Sequence, residues 1–173
     1  RGNELINIEV TPFTYYPIDK KLIVLEEIEI TIQKNENINQ KISKDFPKSK
    51  VFERLVNSLV LNPINTNSTR NEEYQQPHIL YVCGGNSSSN SFFNQLIQWR
   101  RKQGYEVSVV STNLTGNSTT SIKNYLENSM TWDNPPEFVT LVGDVGGSFD
   151  IDTFIEYDSG YNGEGDHPYS QLD

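Results

Sequence analysis

Between His78 and Asp144 the hydrophobic period switches back and forth between two and 3.6, and the connections are short. "HILYVC" (78–83) is a short apolar run rich in β-branched and aromatic residues. "NSFFNQLIQWRRKQG" (90–104) is amphipathic, with Asn90 or Ser91 placed to cap a helix and Gly104 placed to stop it. "YEVSVVS" (105–111) reads as a strand. "STTSIKNYLENSM" (118–130) reads as a helix that "DNPP" ends, and "EFVTLVGD" (137–144) reads as a third strand. Strand–helix–strand–helix–strand with short links requires a parallel sheet, because each return must cross over through a helix in the right-handed sense. Such a sheet binds ligands beyond the carboxyl ends of its strands. Here those ends are Cys83-Gly84-Gly85, Ser111-Thr112 and Gly143-Asp144. The expected inward stripe of the first helix is Phe92, Phe93, Leu96, Ile97 and Trp99 or the stem of Arg100. That of the second is Ile122, Tyr125, Leu126 and Met130.

The chain before this alternation follows different rules. In "ELINIEV" (4–10) and "KLIVLEEIEITIQ" (21–33) apolar residues fall on every second position, as in strands with one wet face, and "YYPIDKK" supplies the turn. These segments are expected to pair antiparallel. "NENINQKISKDFP" (35–47) is polar and reads as loop. "KSKVFERLVNSLVLN" (48–62) returns to a helical period through Val51, Phe52, Leu55, Val56, Leu59 and Val60, and ends before Pro63. "NPINTNSTRNEEYQQP" (62–77) is polar, bounded by prolines and poor in apolar residues, so it reads as a linker. The division is therefore a β-rich segment with an amphipathic helix (1–61), a linker (62–77) and an α/β half-domain (78–173). The region after Gly146 is rich in Gly, Asp and Tyr without a clear period and is expected to be loop, with at most a short strand at its end.

Charge narrows the partners. The formal net charge is −9, and residues 78–173 carry four Lys/Arg against twelve Asp/Glu, with no Lys or Arg after Lys123. Such a surface repels a phosphate backbone, so nucleic acid is not expected as a partner. No run approaches the ~18 consecutive apolar residues of a membrane span. Arg1 opens no signal-peptide pattern and the chain lacks an initiating Met, as a processed form would. A single cysteine excludes an internal disulfide and a cysteine-based zinc site.

Cys83 ends a strand beside two glycines, where a nucleophile could sit. A catalytic thiolate needs a base and a positive field. His78 lies five residues back on the same strand, His167 lies in the tail, and the surroundings are acidic. Cys83 is therefore expected to be a packed strand thiol. "CGGNSSSNS" occupies the place of a phosphate-binding loop but carries no dinucleotide or Walker pattern. Asp144 carries a stronger signal: a carboxylate at the mouth of a parallel sheet needs a hydrogen-bond donor or a cation. Asp150, Asp152, Glu156, Asp158, Glu164, Asp166 and Asp173 follow it, and oxygen donors without a soft ligand favour Ca²⁺. "DSGYNGEGD" is no EF-hand loop, since Tyr169 stands where the bidentate Glu belongs.

The blocks "PHILYVCGG", "FFNQLIQWRRKQGYEVSVVSTN", "IKNYLEN", "PPEFVTLVGD" and "DHPYSQLD" together resemble the start of the catalytic domain of gingipain-type cysteine peptidases, peptidase family C25. "GYEVSVV" and "PPEFVTLVGD" are the specific ones. "INIEVTPFTYYPIDKKLIVLEEIEITI" with the "VFERLVNSLVLN" helix resembles the end of the prodomain that precedes such domains. The resemblance implies a caspase-like fold: a three-layer parallel half-domain, preceded by a small antiparallel β segment with a helix. It implies a secreted or cell-surface zymogen whose linker is cut on activation, with Arg70, the only basic residue of 62–77, as the candidate processing site. It places the catalytic His and Cys on later strands, so no residue of 1–173 is expected to be catalytic and the chain alone is expected to be inactive. It implies a structural Ca²⁺ bound through Asp144 and Asp173 with ligands beyond them. The implied partners are the remainder of the catalytic domain and protein or peptide substrates. A type IX secretion sortase of the same family and a non-catalytic binding or adhesin module stay open beside the endopeptidase.

Overall fold

The computed structural model describes residues 5–33, 46–63, 74–158 and 160–172. The chain forms two compact units, Arg1–Phe46 and Pro47–Asp173. In the first, β1 (Phe13–Tyr16) and β2 (Lys21–Val24) pair antiparallel, from Phe13 opposite Val24 to Tyr16 opposite Lys21. The hairpin expected around "YYPIDKK" is present, but its first strand is "FTYY". Residues 5–10 form no strand, and neither do 26–33. A four-residue turn, with Lys20 at φ 47°, sets the register from the turn outward, so the strand next to the turn takes the pairing. Every described residue of 5–33 is exposed, so the period-two apolar faces there bury nothing within this unit.

In the second unit α1 (Lys50–Leu59) is capped by Ser49, whose hydroxyl accepts from the Phe52 amide at 3.2 Å. Then come β3 (His78–Cys83), α2 (Ser91–Lys102), β4 (Glu106–Ser111), α3 (Thr112–Thr115), α4 (Thr119–Ser129) and β5 (Phe138–Val142). Three short 3-10 turns, at 87–89, 147–149 and 167–170, punctuate the connections. The sheet order is β4-β3-β5 and both pairings are parallel, with Cys83 opposite Ser111 on one side and Val142 on the other. The expected α/β class and its parallel sheet are what the chain forms.

Alternation along β3 builds three layers. Ile79, Tyr81 and Cys83 face Phe93 and Ile97 of α2. Leu80 and Val82, with Val110 of β4, face Ile122 and Leu126 of α4. Every residue of β3 is buried, as a central parallel strand covered on both faces must be. Asn90 caps α2, accepting from the Phe92 and Phe93 amides at 2.9 and 3.3 Å, and Gly104 at φ 93° lets the chain leave it. The inward stripe of α2 is narrower than expected. Phe93 and Ile97 are buried, while Phe92 and Trp99 are 77% and 51% exposed and Leu96 is exposed as well. A helix lying on one sheet face buries the i, i+4 pair at its contact line and leaves flanking positions wet.

The tail also departs from expectation. β6 (Phe154–Asp158) and β7 (Tyr161–Gly165) form an antiparallel hairpin where a loop was expected. Tyr169 packs edge-on against Phe154 at 4.9 Å between ring centroids and is buried with Ile151 against the α4 side of the sheet.

Candidate functional site

The carboxyl end of the sheet is the place to look for chemistry, and the chain itself fills its centre. After β5 the backbone turns back across the strand ends. The Asp144 amide donates to the Phe149 carbonyl at 3.2 Å, and the Ile151 amide donates to the Asp144 carbonyl at 3.0 Å. At Gly84 and Gly143 a Cβ would run into the Phe149 carbonyl oxygen, so both glycines are required for this close approach. The Ser87 hydroxyl and the Gly84 amide both donate to the Val142 carbonyl, at 3.1 and 3.0 Å, and lock the Gly84-Gly85 turn beside β5. The chain thus closes over the Cys83-Gly84-Gly85 strand end.

Cys83 is fully buried in the α2-side cluster. Burial pushes its thiol above the usual range, and a hydrogen bond with Ser87 opposes this only in part. Neither histidine serves it. His78 is buried at the opposite end of β3, with Nδ1 2.6 Å from the Asn134 carbonyl and Nε2 2.9 Å from the Ser108 hydroxyl, and its ring stacks on Trp132. His167 is exposed, with Nδ1 3.8 Å from a Glu156 carboxylate oxygen. A buried thiol with a raised pKa and no histidine beside it lacks the base and positive field that an activated thiolate uses.

The open space lies beside β5. A cavity of about 260 Å³ is lined by Leu141, Gly143, Asp144, Val145, Ile151, Thr153, Glu164, Gly165 and Asp166. One oxygen of the Asp144 carboxylate accepts from the Val145 amide at 2.8 Å, and Asp166 accepts from the Thr153 hydroxyl at 3.2 Å. Asp144, Glu164 and Asp166 therefore all line one cavity. Glu164 and Asp166 arrive there because β7 folds back, a placement that the weak period of the tail concealed. Asp150 and Asp152 have structural partners. Asp150 accepts from the Gly146 amide and the Asn117 side chain, both at 2.6 Å, and Asp152 accepts from the Thr119 amide at 3.4 Å. The acidic lining offers oxygen donors and no soft ligand. Among the described residues no group of three or more His, Cys, Asp or Glu side chains lies close enough to hold an ion. Asp173 and Arg70 lie outside the described residues.

A parallel sheet with helices on both faces, its centre sealed by its own loop and an acidic cavity at one flank, defines an α/β half-domain of the caspase-like type. The family model of peptidase family C25 matches residues 72–173. That is more than half of the chain, and the chain belongs to this family of gingipain-type cysteine peptidases. No curated protein and no solved structure matches it. Among the described residues no helix is long and apolar enough to cross a membrane.

Proposed function

We propose that residues 72–173 are the scaffold half of a secreted gingipain-type cysteine endopeptidase, made as a zymogen and acting on protein or peptide substrates. The observation that supports this most is the pairing of a C25 match with a cysteine that has neither exposure nor a base. The nucleophile of the parent enzyme then stands outside 1–173. The test is an irreversible thiol-alkylating peptide inhibitor on the active parent protein, read by intact mass and peptide mapping. A single adduct on another cysteine is expected. An adduct on Cys83, or inhibition without an adduct, would overturn the reading.

Calcium belongs to the same proposal. Asp144 and Asp173 would hold the ion with further oxygens, and it would supply charge neutralisation where the β5 end meets the tail. Calcium titration of the parent protein by calorimetry is expected to show one site that Asp144→Ala weakens. Absence of binding heat, or an unchanged Asp144→Ala protein, would remove calcium from the account.

A further inference from the structure

The amino end of the sheet carries a buried carboxylate that the proposed chemistry does not use. Glu137 is only 9% exposed, and its amide donates to the His78 carbonyl at 2.9 Å, which fixes it at the foot of β3 and β5. One carboxylate oxygen accepts from the hydroxyl of Ser49, itself 8% exposed, and the other, Oε2, has no hydrogen-bond partner among the described residues. Ser49 lies upstream of the residues that the family model matches and caps α1. The same hydroxyl thus receives the helix's Phe52 amide and donates to Glu137. A buried carboxylate with one hydrogen bond depends heavily on that bond.

Other contacts cluster at the same end of α1. The Gln75 amide donates to the Lys48 carbonyl at 2.8 Å, its side chain donates to the Pro135 carbonyl at 3.0 Å, and Tyr74 donates to Glu53 at 2.6 Å. Later in the helix Leu55 and Leu59 are 50% and 66% exposed, while Val51, Phe52 and Val56 are half-buried. The polar contacts at the N-terminus therefore add to a partly covered apolar stripe.

We propose that residues 47–63 form a strap belonging physically to the α/β half, and that Glu137 is the positioning residue that holds it. A cut between the strap and β3 then leaves the upstream segment attached without a covalent link. This bears on the regulation of the proposed zymogen, but its test does not require that the natural cut occur there. A specific protease site is placed within 64–73 of the full chain, the chain is cut, and the two pieces are followed by size exclusion. Hydrogen exchange is read in parallel on the uncut chain. The pieces are expected to co-elute. Glu137→Ala is expected to speed their separation, and the exchange of the first turn of α1, about tenfold, the loss of one buried hydrogen bond. β3 amides should stay protected, and Glu137→Gln, which keeps an acceptor for Ser49, should behave as the parent. Separation of the unmutated pieces on cutting would overturn the strap. Unchanged release and exchange in Glu137→Ala would overturn the role of Glu137. If Glu137→Ala also exposes β3, the Ser49→Ala and Glu137→Ala double variant decides: α1 exchange no faster than in Ser49→Ala alone supports the latch, and fully additive acceleration ends it. Natural processing is read separately, by N-terminal sequencing of the native product, so failure of one reading leaves the other intact.

Discussion

At the scale of single residues, burial decides which polar groups are available for chemistry. Cys83 shows this most directly: the thiol is buried in one cluster with Tyr81, Phe93 and Ile97, so desolvation disfavours the thiolate. Tyr169 gives the matching case for a phenol. Its hydroxyl donates to the Asp152 carbonyl at 2.5 Å, and burial, followed by the charges of Asp152 and Asp166, pushes its pKa up to about 12. The folded pKa lies above the ordinary value of 10.0, so the unfolded chain loses this proton first. Its contribution to stability is complete below pH 10 and is lost as pH rises toward 12. Urea midpoints measured between pH 9 and 12 are expected to fall, with a shallower fall in Tyr169→Phe. An identical slope in that variant would mean that Tyr169 ionises freely.

At the scale of elements, α2 separates what periodicity says from what contact selects. Five apolar positions share a broad face, and only Phe93 and Ile97 reach the sheet. Phe93→Ala is expected to cost about 3–5 kcal/mol, because it opens a cavity beside Tyr81. Phe92→Ala is expected to change stability by less than about 0.5 kcal/mol. Equal losses in chemical denaturation would mean that Phe92 is covered in solution. The strand–helix alternation of 78–144 was readable because each element has a strong period and a chemical stop: Asn90 and Gly104 around α2, Ser118 before α4 and the Asp133–Pro136 corner after it. The β6–β7 hairpin was not readable, because its strands mix Gly, Asn and acidic residues and its register comes from the chain reversal. The "ELINIEV" pattern misled for a related reason: alternation marks a potential face, and a strand forms only where a neighbour pairs with it.

At the scale of the molecule, α1 is the instructive element. Its sequence position groups it with the strands before it, and the linker-like composition of 62–77 reads as the boundary. Its contacts instead place it in the compact unit that begins at Pro47. Activation cleavage within 62–77 is expected to occur at or near Arg70. Limited trypsin digestion followed by mass mapping checks this, and first cuts elsewhere would count against it. The Glu137 latch predicts that such a cut is silent in size exclusion, so activation would require a further event that displaces the strap.

The class of fold, its parallel sheet, the burial of Cys83 and the acidic character of the tail were already legible in the order of residue types. Each depends on chemistry local to a segment: period, capping, an apolar strand, the absence of Lys and Arg. Tertiary structure alone decided three matters. The 144–151 backbone closes over the strand ends, Glu164 and Asp166 join Asp144 at one cavity, and Ser49 meets Glu137 across 88 residues of chain. The physical reason is the same in each. These contacts are set by where the chain returns, and no local pattern encodes the partner that a distant turn will bring.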